Sequence, residues 1–207
     1  CNEEARCRGL SEDRQAILRK ASDFATQALT SYRAGNLKDA TANAAASLKV
    51  DDQNALAFTV RAMVDIRLNQ SAEAKTAFLS VTKVDPTNVL AWNNLAILAF
   101  RNRRDPEGLR DFNQAIQIAP DQRLLLDNIA EGLNMYEGPK DNANYVNLAR
   151  AFTQADARRQ AKWARYGRGR FGGTWVTSQQ RDAIAKTTTD VIAKANDLQD
   201  QYQAANN

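Results

Sequence analysis

A period of 34 residues constrains this chain more than any other feature. Residues 55–88, ALAFTVRAMVDIRLNQSAEAKTAFLSVTKVDPTN, and residues 89–122, VLAWNNLAILAFRNRRDPEGLRDFNQAIQIAPDQ, align without a gap. Phe58 falls on Trp92, Ala62 on Ala96, Ile66 on Phe100 and Ala74 on Gly108. Phe78 falls on Phe112, Val84 on Ile118 and Pro86 on Pro120. Bulky, small, aromatic and proline positions recur at a fixed interval. Such self-similarity marks a supersecondary unit stacked in series, because one copy cannot bury its apolar face alone.

Each copy reads as two amphipathic helices. In the second copy the spacing predicts helices over about Leu90–Arg103 and Pro106–Ile118. Ala62 and Ala96 are small where paired helices must cross closely, and Phe78 and Phe112 are large where the second helix fills space under its neighbour. Asp85-Pro86 and Ala119-Pro120 end the second helices, since proline lacks the amide donor and restricts the residue before it.

This pattern resembles the tetratricopeptide repeat. The match is fullest over 55–122 and extends to a first copy at 21–54, with Phe24, Ala28, Tyr32, Gly35, Ala40, Leu48 and Val50 in the expected places and Asp52 where proline stands later. A fourth copy begins at Arg123, with Leu126, Ile129, Ala130 and Leu133 in place, then breaks at the loop Tyr136–Asp141 before a long helix over about 142–165. The resemblance implies an all-α chain: a right-handed superhelical solenoid of about four such hairpins over 21–165. A tether and helical extension at 1–20 precede it, and a glycine-rich turn with a capping helix at 166–207 follows.

Composition narrows the function classes. The 207 residues are 43% hydrophobic and 25% charged, as in an ordinary folded protein. No apolar run approaches the roughly 20 residues of a membrane span. There is no histidine, the commonest acid/base and metal ligand. No glycine-rich phosphate loop and no nucleophile elbow occur. The expectation is a non-enzymatic chain without cofactor or metal.

Cys1 and Cys7 sit at the extreme N-terminus. Two readings of Cys1 stand side by side. One is a bacterial lipoprotein whose lipidated first cysteine anchors a soluble domain in an extracytoplasmic place. The other is an N-terminus set by different processing, with a cytoplasmic protein as the default. Cys1 could also pair with Cys7 in an oxidising compartment.

Ser11 is the expected N-cap of the first helix, with Glu12 and Asp13 in its first turn. At the other end, YGRGRFGGTWV (166–176) reads as a turn or small hairpin. Thr177 or Ser178 then caps a final helix to about Gln203. Its residues Ile184, Thr188, Val191, Ala195, Leu198 and Tyr202 are spaced 4, 3, 4, 3, 4, a heptad seam. That seam serves either a capping helix laid on the solenoid end or an intermolecular coiled coil.

In the resembled family the first helices of successive repeats line the concave face, where partners bind. The transferred geometry places Arg33 there from the first repeat, with Ala25, Leu29 and Tyr32. Thr59, Met63, Ile66 and Arg67 come from the second, Asn93, Ile97, Phe100 and Arg101 from the third, and Asp127, Glu131 and Met135 from the fourth. Arg33, Arg67 and Arg101 recur at the period. They suit carboxylates of an acidic peptide, or they complement the dipoles of their own helix ends. The carboxylate-binding subset of the family uses lysines and asparagines where this chain has Ala25, Leu29, Thr59 and Asn93, so that activity is not expected. A peptide or helix of mixed character is the expected occupant.

A second candidate is the basic stretch 157–175. Arg158, Arg159, Lys162, Arg165, Arg168 and Arg170 alternate there with Trp163, Tyr166 and Phe171. Cations attract phosphates and aromatics stack on bases, so an anionic polymer (nucleic acid or polysaccharide) is the alternative ligand. Trp163, Phe171 and Trp175 could instead pin the final helix to the solenoid. A self-assembling structural subunit is the third functional reading.

Overall fold

The computed structural model describes residues 12–171 and 174–205. Nine helices run in order among them: α1 (Glu12–Arg33), α2 (Leu37–Val50), α3 (Ala55–Arg67), α4 (Ser71–Val84), α5 (Val89–Arg101), α6 (Asp105–Ile118), α7 (Arg123–Met135), α8 (Ala143–Ala164) and α9 (Ser178–Ala205). A two-stranded antiparallel hairpin, β1 (Arg168–Phe171) and β2 (Thr174–Thr177), precedes α9, with Arg168 opposite Thr177 and Arg170 opposite Trp175. The glycine-rich stretch is therefore a hairpin. The rest of the described chain is all-α, as the period predicts. Ser11, Cys1 and Cys7 lie outside the described residues.

The chain divides into two compact units, Cys1–Phe152 and Thr153–Asn207. In the first, α1/α2, α3/α4 and α5/α6 are helical hairpins, each packed on the next, and α7 stacks on α5 and α6. The hairpin turns share one device. Gly35, Asn69 and Arg103, again one period apart, all adopt positive φ (82°, 60° and 57°), which reverses the chain after each first helix. The first helices of the second and third hairpins share another. Asn54 and Asn88 cap them, their side chains accepting from the amides of Ala57 and Ala91.

Small residues let the helices cross. Ala21, Ala25, Ala28, Ala40, Ala44, Ala62, Ala74 and Ala96 are fully buried. Phe78 and Phe112 fill the space between hairpins, as their alignment predicts. Ser47 Oγ donates to Ala21 O at 2.7 Å inside the α1/α2 contact. The Lys75 ammonium donates to Glu107 Oε2 at 2.7 Å, joining α4 to α6 across the repeat boundary, and it holds the Glu107 carboxyl below its usual range.

The third repeat departs from the second in a coupled way. Phe100 stands where Ile66 stood, and Gly108 where Ala74 stood. A Cβ at Gly108 would lie 2.6 Å from two atoms of the Phe100 ring. The larger ring occupies the room that the alanine methyl takes one repeat earlier. After α7 the period ends. The loop to α8 is closed by stacking of Tyr136 on Tyr145 (5.1 Å between centroids), with the Lys140 ammonium over both rings.

The second unit holds the end of α8, the hairpin and α9. Thr177 and Gln180 form a reciprocal capping box: Gln180 N donates to Thr177 Oγ1 and Thr177 N to Gln180 Oε1. The heptad residues of α9 form a stripe along one side of the helix. Val191 and Leu198 are more than 60% exposed, and Tyr202 is 72% exposed. No described helix is long and apolar enough to cross a membrane.

Candidate partner-binding groove

The candidate residues of the first helices gather at two places. At α1/α3, the Arg67 guanidinium lies 5.1 Å from the Tyr32 ring centroid, in cation–π range. Met63 is half-buried beside them, packed with Leu29 and Tyr32 on a core of Ala28, Ala40, Val60 and Val64. Arg67 sits in the last turn of α3, so the helix C-terminus and the aromatic face both favour its charge.

At α5/α7, a depression of about 320 Å³ opens between the helices. Ile97, Phe100, Phe112 and Met135 make its apolar lining, and Arg101, Asn128 and Glu131 its polar part. The cation comes from α5 and the anion from α7. Gly132 brings the α7 backbone against the aromatic pair, since a Cβ there would meet Phe112 at 2.8 Å and Phe100 at 3.1 Å. Phe100 and Phe112 pack with centroids 5.8 Å apart. The floor is therefore apolar and closely packed, and its rim carries both signs of charge.

The remaining candidates fall elsewhere. Arg33 is exposed in the last turn of α1. Thr59 is half-buried and donates its hydroxyl to Ala55 O at 2.8 Å. Asn93 is buried, its side-chain oxygen accepting from Asn128 Nδ2 at 2.9 Å. It ties α5 to α7 and offers little to a ligand. Asp127 is half-buried and paired with Arg123 at 3.6 Å, one turn away on the same helix.

The basic stretch resolves differently from an open array. Arg158 and Lys162 are exposed on α8 and Arg165 is exposed just past its end, but Arg159 is buried. Trp163 packs against Tyr166 (5.9 Å) and under the Arg168 guanidinium (5.8 Å), so its ring is occupied within the protein. Arg170 lies on β1, opposite Trp175. No group of three or more potential metal-ligating side chains occurs among the described residues.

One cluster escaped sequence reasoning. Asp65, on α3 within the buried stripe of Val60, Ala62 and Val64, is 3% exposed. Burial pushes its carboxyl pKa up, Arg61 pulls it down, and Glu73 adds to the rise; the net direction is up. The signal was present in VRAMVDIR. A carboxylate stands at a repeat position held by Ser31 and Ala99 in the flanking copies.

No protein-family model matches the sequence, and no curated protein matches it. Solved structures match the fold. The TPR domain of Arabidopsis OM64 superposes with a TM-score of 0.54 at 16% identity, covering 58% of this chain and 99% of that domain. MamA gives a TM-score of 0.57 at 14% identity, covering 70% and 76%. A variant of the Thermobaculum terrenum O-GlcNAc transferase gives 0.57 at 16% identity, covering 73% of this chain but 28% of that one. At these identities the likeness is one of fold. With the 34-residue period and the stacked hairpins, it makes this chain a tetratricopeptide-repeat-like protein, an all-α helical solenoid.

Proposed function

We propose that the protein is a non-enzymatic interaction module that holds a peptide or helix of a partner protein against the face made by its first helices. The observation that carries this reading is the α5/α7 depression, where Arg101 and Glu131 border an aromatic floor. A peptide carrying an apolar side chain between charged ones matches it: the apolar group covers Phe100 and Phe112, and each rim charge takes its opposite. Arg67 over Tyr32 provides a second anchoring cation on the neighbouring first helices. The test is affinity capture with wild type beside Arg67→Glu/Arg101→Glu and beside a variant with Arg158, Arg165 and Arg168 changed to serine. Loss of a protein partner with the first variant alone supports the reading. Unchanged capture with the first variant, or loss of a polyanion with the second alone, overturns it.

A second reading rests on the exposed stripe of α9. Its residues are self-complementary about a two-fold axis near Ala193. An antiparallel second copy would set Ile184 against Tyr202, Thr188 against Leu198 and Val191 against Ala195, each a larger residue facing a different or smaller one. The occupant on this reading is another α9, giving a homodimer in addition to the groove.

A further inference from the structure

The first helices carry a second periodic row beside the arginines. Leu56, Leu90 and Leu124 each stand at the second position of α3, α5 and α7, one 34-residue period apart. Leu56 is half-buried, Leu90 is 44% exposed and Leu124 is 65% exposed. Single exposed leucines are ordinary, but a periodic row of them needs a reason. Leu56 lies seven residues before Met63 and eleven before Arg67, and Leu90 stands in the same relation to Ile97 and Arg101. Steps of seven and eleven return to nearly the same side of an α-helix, so each set shares one face. The packing agrees. Leu56 and Met63 rest on the same core cluster, and Ile97 and Arg101 border the same depression.

This face has two unlike edges. Leucines line it where the first helices begin, and guanidinium groups line it where they end. Arg61, Arg104, Arg110 and Arg123 each reach a carboxylate within four residues along the chain. Arg33, Arg67 and Arg101 are exposed and form no ion pair among the described residues. Arg67 rests on the Tyr32 ring, which orients its head without neutralising it. The periodic arginines therefore keep their charge for carboxylates from outside.

Two spacings decide the shape of what lies there. Along a first helix the leucine and arginine edges are about 16 Å apart, eleven residues at 1.5 Å each. Across the face, α1 and α3 share one core cluster and α3 and α5 another, and packed helices stand roughly 10 Å apart. An occupant must repeat its acids and its apolar groups at about that interval, on opposite edges. In an α-helix a heptad advances about 10.5 Å and returns to nearly the same side, and a body 10–12 Å wide reaches both edges. In an extended strand same-side residues recur about every 7 Å, out of step with the rows.

We propose that the occupant is an acidic amphipathic α-helix of a partner protein, laid across the first helices. Its heptad-spaced carboxylates meet Arg33, Arg67 and Arg101, and its apolar residues cover Leu56, Leu90 and Leu124. The inference rests on the groove reading above and narrows the occupant from a peptide or helix to a helix of this pattern.

The experiment follows the fluorescence anisotropy of trace labelled peptides titrated with the full chain. The test peptide is three copies of Glu-Leu-Ala-Gln-Leu-Ala-Gln, about 31 Å long as a helix. One control carries lysine for every glutamate, and another carries proline for one alanine in each heptad, which breaks the helix. The expected result is saturable binding of the test peptide, with both controls at least about tenfold weaker. Arg33→Ser/Arg67→Ser/Arg101→Ser should weaken binding about tenfold and flatten its salt dependence. Leu90→Ser/Leu124→Ser should weaken it while leaving the salt dependence in place. All five side chains are exposed, so both variants should keep the wild-type circular dichroism. Lack of saturable binding of the test peptide at about 1 mM protein, equal binding of the lysine peptide, or an unchanged arginine variant overturns the proposal. A proline peptide that binds as tightly as the test peptide, with the arginine dependence intact, overturns the helix and leaves the groove reading standing. Binding that is indifferent to both protein variants overturns the groove reading as well.

Discussion

The pairing of Phe100 with Gly108 yields the sharpest test of the packing. In Gly108→Ala the new methyl carbon would stand 2.6 Å from Phe100 Cδ2 and Cε2 and 3.2 Å from Ala96 O. The ring has little room to retreat, because it packs on Phe112 and lies beneath the α7 backbone at Gly132. Two effects oppose each other. Alanine in a helix interior gains about 0.5–1 kcal/mol over glycine. Overpacking a filled site costs about 1–3 kcal/mol. The net expectation is a loss of about 1–2 kcal/mol. The second repeat shows the remedy, since Ile66 there accompanies Ala74. In a Phe100→Ile background the clash is gone, and Gly108→Ala should stabilise by about 0.5–1 kcal/mol. The double-mutant cycle should therefore show a favourable coupling of about 1–3 kcal/mol. Urea denaturation followed by far-UV circular dichroism measures all four proteins. A stabilising Gly108→Ala in the native background, or a coupling below about 0.5 kcal/mol, would refute the reasoning.

Two further outcomes are expected. Asp65 has its folded pKa raised by burial, so its stabilising contribution is fully present below the ordinary carboxylate pKa and is lost as pH rises through the folded value. Asp65→Asn should accordingly raise stability at pH 7 by on the order of 1 kcal/mol, and the gain should shrink as the pH falls through the carboxylate range; a loss at pH 7 that persists in acid would contradict this. For α9, the wild-type mass measured by light scattering should rise with concentration while Leu198→Asp stays monomeric, and a wild-type mass that does not change removes the dimer reading.

Much of the solenoid was legible because its information is periodic. The alignment located Ala62, Ala96, Phe78 and Phe112 in the core, and Pro86 and Pro120 at the ends of second helices, before any tertiary contact was known. The α5 and α7 candidates Ile97, Phe100, Arg101 and Glu131 were also legible, since one family geometry assigns them to one face. Asn93 was not read correctly as a ligand-facing group. Whether an asparagine faces solvent or a neighbour depends on what stands 35 residues later, here Asn128.

The amino-acid order alone determined the period, the helical content, the small-residue crossings and the absence of histidine chemistry. Each follows from local propensity and spacing, which need no partner element to act. The tertiary structure decided what depends on volume and dielectric. It showed that the Phe100 ring excludes a methyl at 108, that burial raises the Asp65 carboxyl, and that Trp163 is taken up by Tyr166 and Arg168. Those outcomes are set by which atoms share a small space, and residues far apart in the chain reach that space only when the hairpins stack.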